Sequence, residues 1–204
     1  MKGYFGTHIS ERTTKMGNIL SFSTLPYRMC RKDVELPCYK DCYAAKICRL
    51  RATVAKAWGD NTAMLEKGLH ANVASDIIDA ISFRHAKLFR WFVGGDIHDD
   101  AMMETMIQVA NSCPGTEFMA FTKYYDIVEA HYDDIPENLN IVLSAWKELQ
   151  PTEEQKQLFP VCYFDDGTPE CQIPEGTTVC GGDCEHCQLC FHMKGGEGVC
   201  IRRH

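Results

Sequence analysis

Apolar segments that alternate with helix-patterned stretches from residue 88 onward constrain the fold of this chain more than any other feature. Leu88-Phe-Arg-Trp-Phe-Val93 reads as a buried strand closed by Gly94-Gly95-Asp96. Asp99 then caps a helix over residues 101–110, offering its carboxylate to backbone N–H groups that lack a partner inside the helix. Thr116 to Thr122 reads as a second strand, residues 125–130 as a short helix, Leu139 to Ser144 as a third strand and Phe159 to Phe164 as a fourth. Strands joined through helices run parallel, because a crossover is needed to bring the chain back to the same end of the sheet. The expected fold class is therefore α/β, with parallel strands and outer helices.

Upstream, Asn18 to Thr24 alternates as a short strand would, and Pro26, Cys30, Cys38 and Cys42 punctuate the loop that follows. A helix is expected from Tyr43 to about Trp58, and a second from Thr62 to Phe83, where Leu65, Leu69, Val73, Ile77, Ile78 and Ile81 recur at three- and four-residue spacing. Parallel sheets gather their chemistry at the carboxyl ends of the strands. That edge is expected to bring together Gly94-Gly95-Asp96-Ile97-His98, Thr122-Lys123 and Ser144-Ala145-Trp146, with the cysteine loop on the same face. A small-molecule ligand there would approach the backbone at Gly94 and Gly95, donate an amine or hydroxyl to Asp96, and place a carboxylate or phosphate on Lys123. The plainer alternatives are a strand-to-helix turn for the first group and a surface lysine for the second.

Five of the twelve cysteines fall in the last 25 residues, and four form one run, Cys180, Cys184, Cys187 and Cys190. Two intervening residues between thiols let one loop wrap a single inorganic centre. Iron–sulfur clusters take three ligands this way and a fourth from elsewhere, and zinc knuckles use pairs of the same spacing. Cys171 and Cys180 are the nearest fourth ligands by chain distance, and Cys30, Cys38 and Cys42 are a second set of three thiolates. The competing reading, a disulfide framework, fits poorly with thiols so closely spaced. After Pro169 glycine and cysteine dominate and no apolar period survives, so residues 169–204 are expected to be a cysteine-rich metal-binding tail ordered by its metal, appended to an α/β domain over 1–168.

Composition sets limits on partners. Met1 to Gly6 is no apolar signal segment and no run of about 18 apolar residues occurs, so thiols kept reduced in a cytoplasm, with no membrane, are the expectation. The net charge of −7 opposes broad, sequence-independent affinity for nucleic acid. The basic stretch from Lys46 to Lys56 is read as a solvated helix face. Cys48 within it is read as a small buried apolar residue. His98 is a candidate proton carrier, His186 and His192 are candidate zinc or cluster ligands with the plainer reading of neighbours to the cysteine run, and Trp91 and Trp146 are core or pocket-wall residues. There is no phosphate loop, nucleophile elbow or H-E-x-x-H helix.

Several motifs occur in one order across nearly the whole chain: Lys15-Met-Gly-Asn-Ile-Leu-Ser-Phe-Ser-Thr-Leu-Pro26, Cys30, Cys38-x3-Cys42-Tyr-Ala44, Gly95-Asp-Ile-His-Asp99, Phe118-Met-Ala-Phe-Thr-Lys123 and Ile135 to Ser144. With them, the chain resembles the phage protein family called gene product 88, and the ending from Cys171 to Phe191 is similar to that of its bacterial and prophage members. The resemblance implies a distant likeness to radical S-adenosylmethionine enzymes, with a partial TIM-barrel-like α/β fold, a [4Fe-4S] cluster after the first strand and S-adenosylmethionine at a glycine-rich strand end. The chain departs from that pattern, since Cys38-x3-Cys42 is followed by Tyr43, Ala44 and Ala45 and the next cysteine is Cys48. The C-x3-C-x2-C spacing occurs instead at Cys180, Cys184 and Cys187. Three functions follow: an iron–sulfur protein of radical S-adenosylmethionine type, with host cytoplasm as its setting; a zinc-binding recognition module; or a redox protein with a fully ligated cluster.

Overall fold

The computed structural model describes residues 1–11, 16–40, 42–168, 170–171 and 173–202. Lys15, at the head of the first motif, and Pro169, at the expected start of the tail, lie outside the described residues. Eight strands form one sheet: β1 (Ile9–Ser10), β2 (Leu20–Phe22), β3 (Leu88–Trp91), β4 (Glu117–Thr122), β5 (Leu139–Ala145), β6 (Val161–Asp165), β7 (Thr178–Val179) and β8 (Gly198–Arg202). Their spatial order is β1-β2-β3-β4-β5-β6-β8-β7, and β1 alone is antiparallel to its neighbour. The five strands expected from the apolar segments are β2 to β6, side by side in chain order. The fold is a mixed α/β architecture with a mostly parallel sheet.

The helices are α1 (Tyr43–Leu50), α2 (Ala52–Glu66), α3 (His70–Arg84), α4 (Asp100–Ser112), α5 (Tyr125–Ala130), α6 (Glu153–Leu158), and the single turns α7 (Cys184–Cys187) and α8 (Leu189–His192). Two expected helix boundaries are corrected. The helix from Tyr43 to Trp58 breaks at Arg51, whose backbone is extended (φ −134°, ψ 93°). The helix from Thr62 to Phe83 breaks at Gly68, whose φ of +72° suits a residue without a Cβ and ends α2 in a left-handed turn. The break was hidden because Leu65 and Leu69 keep the four-residue period across it, yet Leu65 is buried and Leu69 exposed. Asp99 caps α4 as expected, its Oδ1 accepting from Met102 N–H at 2.8 Å. Helix α6 was not expected, although Thr152 and Gln155 form a reciprocal capping box at its start.

Successive residues of a strand face opposite sides of a sheet, and both sides of this one are covered, so its strands read as continuous apolar runs. One face presents Phe22, Phe89, Trp91, Phe118, Ile141 and Leu143 to helices α2, α3 and α4. The opposite face presents Met119, which packs with Met16, Ile19 and Phe191, and Val142 and Cys162, which pack with Met193 and Val199. The tail therefore finds its apolar burial on the second face of the sheet, without a core of its own. Strand β8 extends the same sheet in parallel with β6.

Candidate metal and cofactor site

The carboxyl ends of β2 to β6 surround a cavity of about 300 Å³. Its walls are the loop after β2, with Pro26, Tyr27, Cys30, Cys38 and Cys42; the turn after β3, with Gly94 and Gly95; Lys123 after β4; Trp146 after β5; and Phe164 and Asp166 at the end of β6. Of the residues singled out in the sequence, Cys30, Cys38, Cys42, Gly94, Gly95, Lys123 and Trp146 meet in this one space. Cys48 is not among the lining residues.

Local structure fixes the cysteine loop. Pro37 opens a 3-10 turn over Pro37–Tyr39, and Cys42 is the N-cap of α1, its Sγ accepting from Ala45 N–H at 3.4 Å. Arg31 ties the loop to the strand ends: its Nη1 donates to the Lys123 carbonyl at 2.7 Å, while Nε and Nη2 donate to Asp33 at 2.9 Å. Tyr27 Oη donates to the Tyr39 carbonyl at 2.9 Å, and the two rings lie 5.8 Å apart. Gly94 and Gly95 are demanded by packing. A Cβ on Gly94 would enter the Trp58 ring, and one on Gly95, at φ +93°, would meet Thr24 Oγ1.

Asp96 turns away from the cavity. It is buried, and its Oδ1 accepts from Thr122 Oγ1 at 2.7 Å and from Ile97 N–H at 2.8 Å, while Oδ2 accepts from Lys123 N–H at 3.2 Å. Burial raises its pKa, opposed by the Lys123 charge and the Thr122 hydroxyl. Lys123 is half-buried, with Nζ 5.9 Å from the centroid of the Trp146 ring, which stacks on Phe164 at 4.0 Å. Burial works against the lysine charge, but the Asp96 carboxylate and the Cys38 and Cys30 thiols outweigh it and hold the ammonium above its ordinary range. Burial likewise pushes the Cys30 thiol up to about 11 and raises Cys38, with Lys123 pulling both back. The cavity thus sets one ammonium beside the Cys30 and Cys38 thiols.

The tail thiols occupy a separate place. Helices α7 and α8 are joined through Gln188 in the left-handed region (φ 52°), and Asp183 caps α7. Cys184 and Cys190 pack against the cluster of Met16, Ile19, Met119 and Phe191, and Cys180 and Cys190 against that of Val142, Cys162, Met193 and Val199. The Cys190 carbonyl accepts from Asn140 Nδ2 at 3.0 Å, and burial pushes the Cys190 thiol up to about 12, with Cys180 and Cys184 adding to the shift. Cys187 is exposed. Cys171 is engaged differently, its Sγ donating to Asp166 Oδ1 at 3.0 Å. His186 is exposed and pairs with Asp183 at 2.9 Å, His98 lies 3.2 Å from Asp99, and Trp91 is in the core. All twelve cysteines are free, and among the described residues no group of three or more His, Cys, Asp or Glu side chains is arranged to hold a metal ion. The thiols share walls without converging on one point.

A family model described as Gene product 88 matches residues 7–158. The chain belongs to the gene product 88 family. The match covers the cysteine loop and the strand ends from β2 to β5, and it stops ahead of β6 and the tail. No curated protein and no solved structure matches the chain. No helix among the described residues is long and apolar enough to cross a membrane.

Sequence reasoning missed part of the cavity of this gene product 88 protein. Arg31, Tyr27, Tyr39, Phe164 and Asp166 all contribute to it. Phe164 and Asp166 obey the rule that located the other strand ends and were legible as the end of the fourth expected strand. Arg31 and Tyr39 lie between the loop cysteines and Tyr27 just ahead of them, and only the folded loop shows which of its side chains turn inward.

Proposed function

We propose that this gene product 88 protein is an iron–sulfur protein in which Cys30, Cys38 and Cys42 hold a [4Fe-4S] cluster, and in which S-adenosylmethionine is the small molecule taken against Gly94, Gly95 and Lys123. The reading includes a partial-barrel relationship to radical S-adenosylmethionine enzymes and the reduced host cytoplasm as the setting. One observation carries it: three thiols from the loop after the first parallel strand line the same 300 Å³ cavity as Gly94, Gly95 and the Lys123 ammonium. The donor chemistry fits, since thiolate sulfur suits iron in both redox states and all three cysteines are free.

A cluster with one iron not bound by the protein supplies an electron and an open coordination position. The chain's own contributions are distinct. Lys123 places a positive charge beside Cys30 and Cys38, favouring their thiolates, and offers a counter-charge to a carboxylate. The bare backbone at Gly94 and Gly95 lets a ligand approach the strand end, and Trp146 on Phe164 gives it an apolar wall. Asp96 holds the ends of β3 and β4 and leaves ligand contact to its neighbours. In the tail, Cys180, Cys184, Cys187 and Cys190 are proposed as a second metal site, with Cys180 favoured over Cys171 as the fourth ligand because it packs against the same apolar cluster as Cys190 and interacts with it electrostatically.

The test is anaerobic purification with iron, sulfide and zinc analysis, followed by electron paramagnetic resonance of the reduced protein with and without S-adenosylmethionine. Iron and sulfide lost in Cys30→Ser, Cys38→Ser and Cys42→Ser, and a cluster signal altered by S-adenosylmethionine, are the expected results. An unaltered signal would leave a fully ligated redox cluster. Zinc without iron would replace the proposal by a zinc-binding recognition module.

A further inference from the structure

The acidic balance of the chain conceals a local reversal. From Tyr27 to Lys56 there are eight Lys or Arg against three Asp or Glu, while the whole chain has 21 against 28. This segment carries the cysteine loop and the start of α1, both of which line the cavity. Arg28, Arg31 and Lys56 are neutralised by Glu66, Asp33 and Asp60. Lys32, Lys40, Lys46, Arg49 and Arg51 are exposed, and none has an ion pair among the described residues.

Aromatic rings stand among these cations. Tyr43 is 60 % exposed and Tyr27 39 % exposed, and both line the cavity at its outer edge. On α1 the helical period puts Ala44, Ala45 and Cys48 on the inward side and Tyr43, Lys46, Arg49 and Leu50 on the outward one, in agreement with their burial. A surface that sets exposed cations beside exposed flat rings is suited to single strands, with cations tracking phosphates and rings stacking bases. An acidic protein would satisfy the cations and leave the rings without a use.

We propose that the rim formed by the cysteine loop and α1 binds single-stranded nucleic acid, with Lys40, Lys46 and Arg49 on the phosphates and Tyr43 stacked on a base. The inference stands on charge and exposed rings, and not on what the thiols hold. The whole-chain charge of −7 makes the interaction local, so other surfaces of the protein repel the strand and confine it to the rim.

The experiment is fluorescence anisotropy with a labelled 20-nucleotide RNA of mixed sequence, titrated with the intact protein at several salt concentrations. Lys40→Gln/Lys46→Gln/Arg49→Gln is expected to weaken binding by at least tenfold and to reduce the salt slope by about 2, since each phosphate neutralised on a single strand contributes about 0.7. Tyr43→Ala is expected to weaken binding by about 5- to 100-fold with the slope unchanged, as loss of one stacked base does. Lys67→Gln/Lys194→Gln, exposed cations outside the segment, should bind as the unaltered protein does. Lys46→Gln alone keeps the test valid if the triple variant loses its circular dichroism. No binding, or a response equal in the two sets of cation variants, overturns the proposal. So does equal competition by poly-glutamate combined with an unaffected Tyr43→Ala variant, which would point to an acidic protein instead. Iron content measured on the same samples reports on the thiols separately.

Discussion

The Asp96 carboxylate accepts the Thr122 hydroxyl at 2.7 Å across 26 positions of sequence, and so joins the turn after β3 to the end of β4 beneath the cavity floor. Its Oδ2 takes the Lys123 N–H as well, which fixes the backbone of the residue whose ammonium enters the cavity. Asp96→Ala would leave a buried hydroxyl and two N–H groups without an acceptor. A loss of about 3 kcal/mol in unfolding free energy is expected, measured by urea denaturation. Asp96→Asn, which retains an acceptor oxygen, should lose less. Equal stability of all three proteins would show that the tie has no weight.

Gly95→Ala tests the turn itself. The positive φ of Gly95 and the proximity of Thr24 Oγ1 leave no room for a methyl group. A cost of about 1–3 kcal/mol is expected from the strained backbone alone. Differential scanning calorimetry of Gly95→Ala and of Gly115→Ala, where a Cβ meets nothing within 4 Å, separates the close approach from a general effect of replacing glycine.

Phe191→Ala addresses the attachment of the tail. Phe191 is 4 % exposed and packs with Met16, Ile19 and Met119 on the second face of the sheet. A large-to-small change at such a site costs about 3–5 kcal/mol. Amide exchange in α7, α8 and β8 should accelerate well beyond that in α3, because α3 packs on the opposite face. Uniform acceleration over the whole chain would mean that the tail and the sheet open as one unit.

The Arg31–Asp33 pair gives a pH dependence of known sign. Hydrogen bonds from Arg31, first, hold the Asp33 carboxyl below its ordinary value. A carboxylate whose folded pKa is depressed adds stability that is complete at neutral pH and disappears as pH falls through that depressed value. Asp33 is mostly exposed, so its contribution is at most about 1 kcal/mol. The difference in melting temperature between the protein and Asp33→Asn should be constant from pH 7 to about 5 and shrink below about pH 4. A difference that grows on acidification would contradict this assignment.

The strand-and-helix order was legible because period and length differ so plainly between Leu88 to Val93 and residues 101–110. The cysteine loop and the glycine turn were placed on one face by the parallel-sheet rule, and the cavity gathers them. Less visible was anything decided by tertiary contact. Arg51 carries no helix-breaking chemistry, yet the chain is extended there. Phe191 and Met193 looked isolated in a glycine- and cysteine-rich stretch, because the surface they fill belongs to strands β4 and β5, roughly 50 to 70 residues away in sequence. Asp96 reads in sequence as a ligand-facing acid, and only the positions of Thr122, Ile97 and Lys123 show that its oxygens are already used.

An open parallel sheet has two margins at which a foreign strand can add itself. Here each margin is a strand of only two residues, Ile9–Ser10 on one side and Thr178–Val179 on the other. A would-be partner finds too few free backbone groups for a stable ladder, and the long apolar strands that would make such templates lie inside. The sheet is thereby shielded from annealing to its own copies while the rim at its carboxyl end stays open to other molecules.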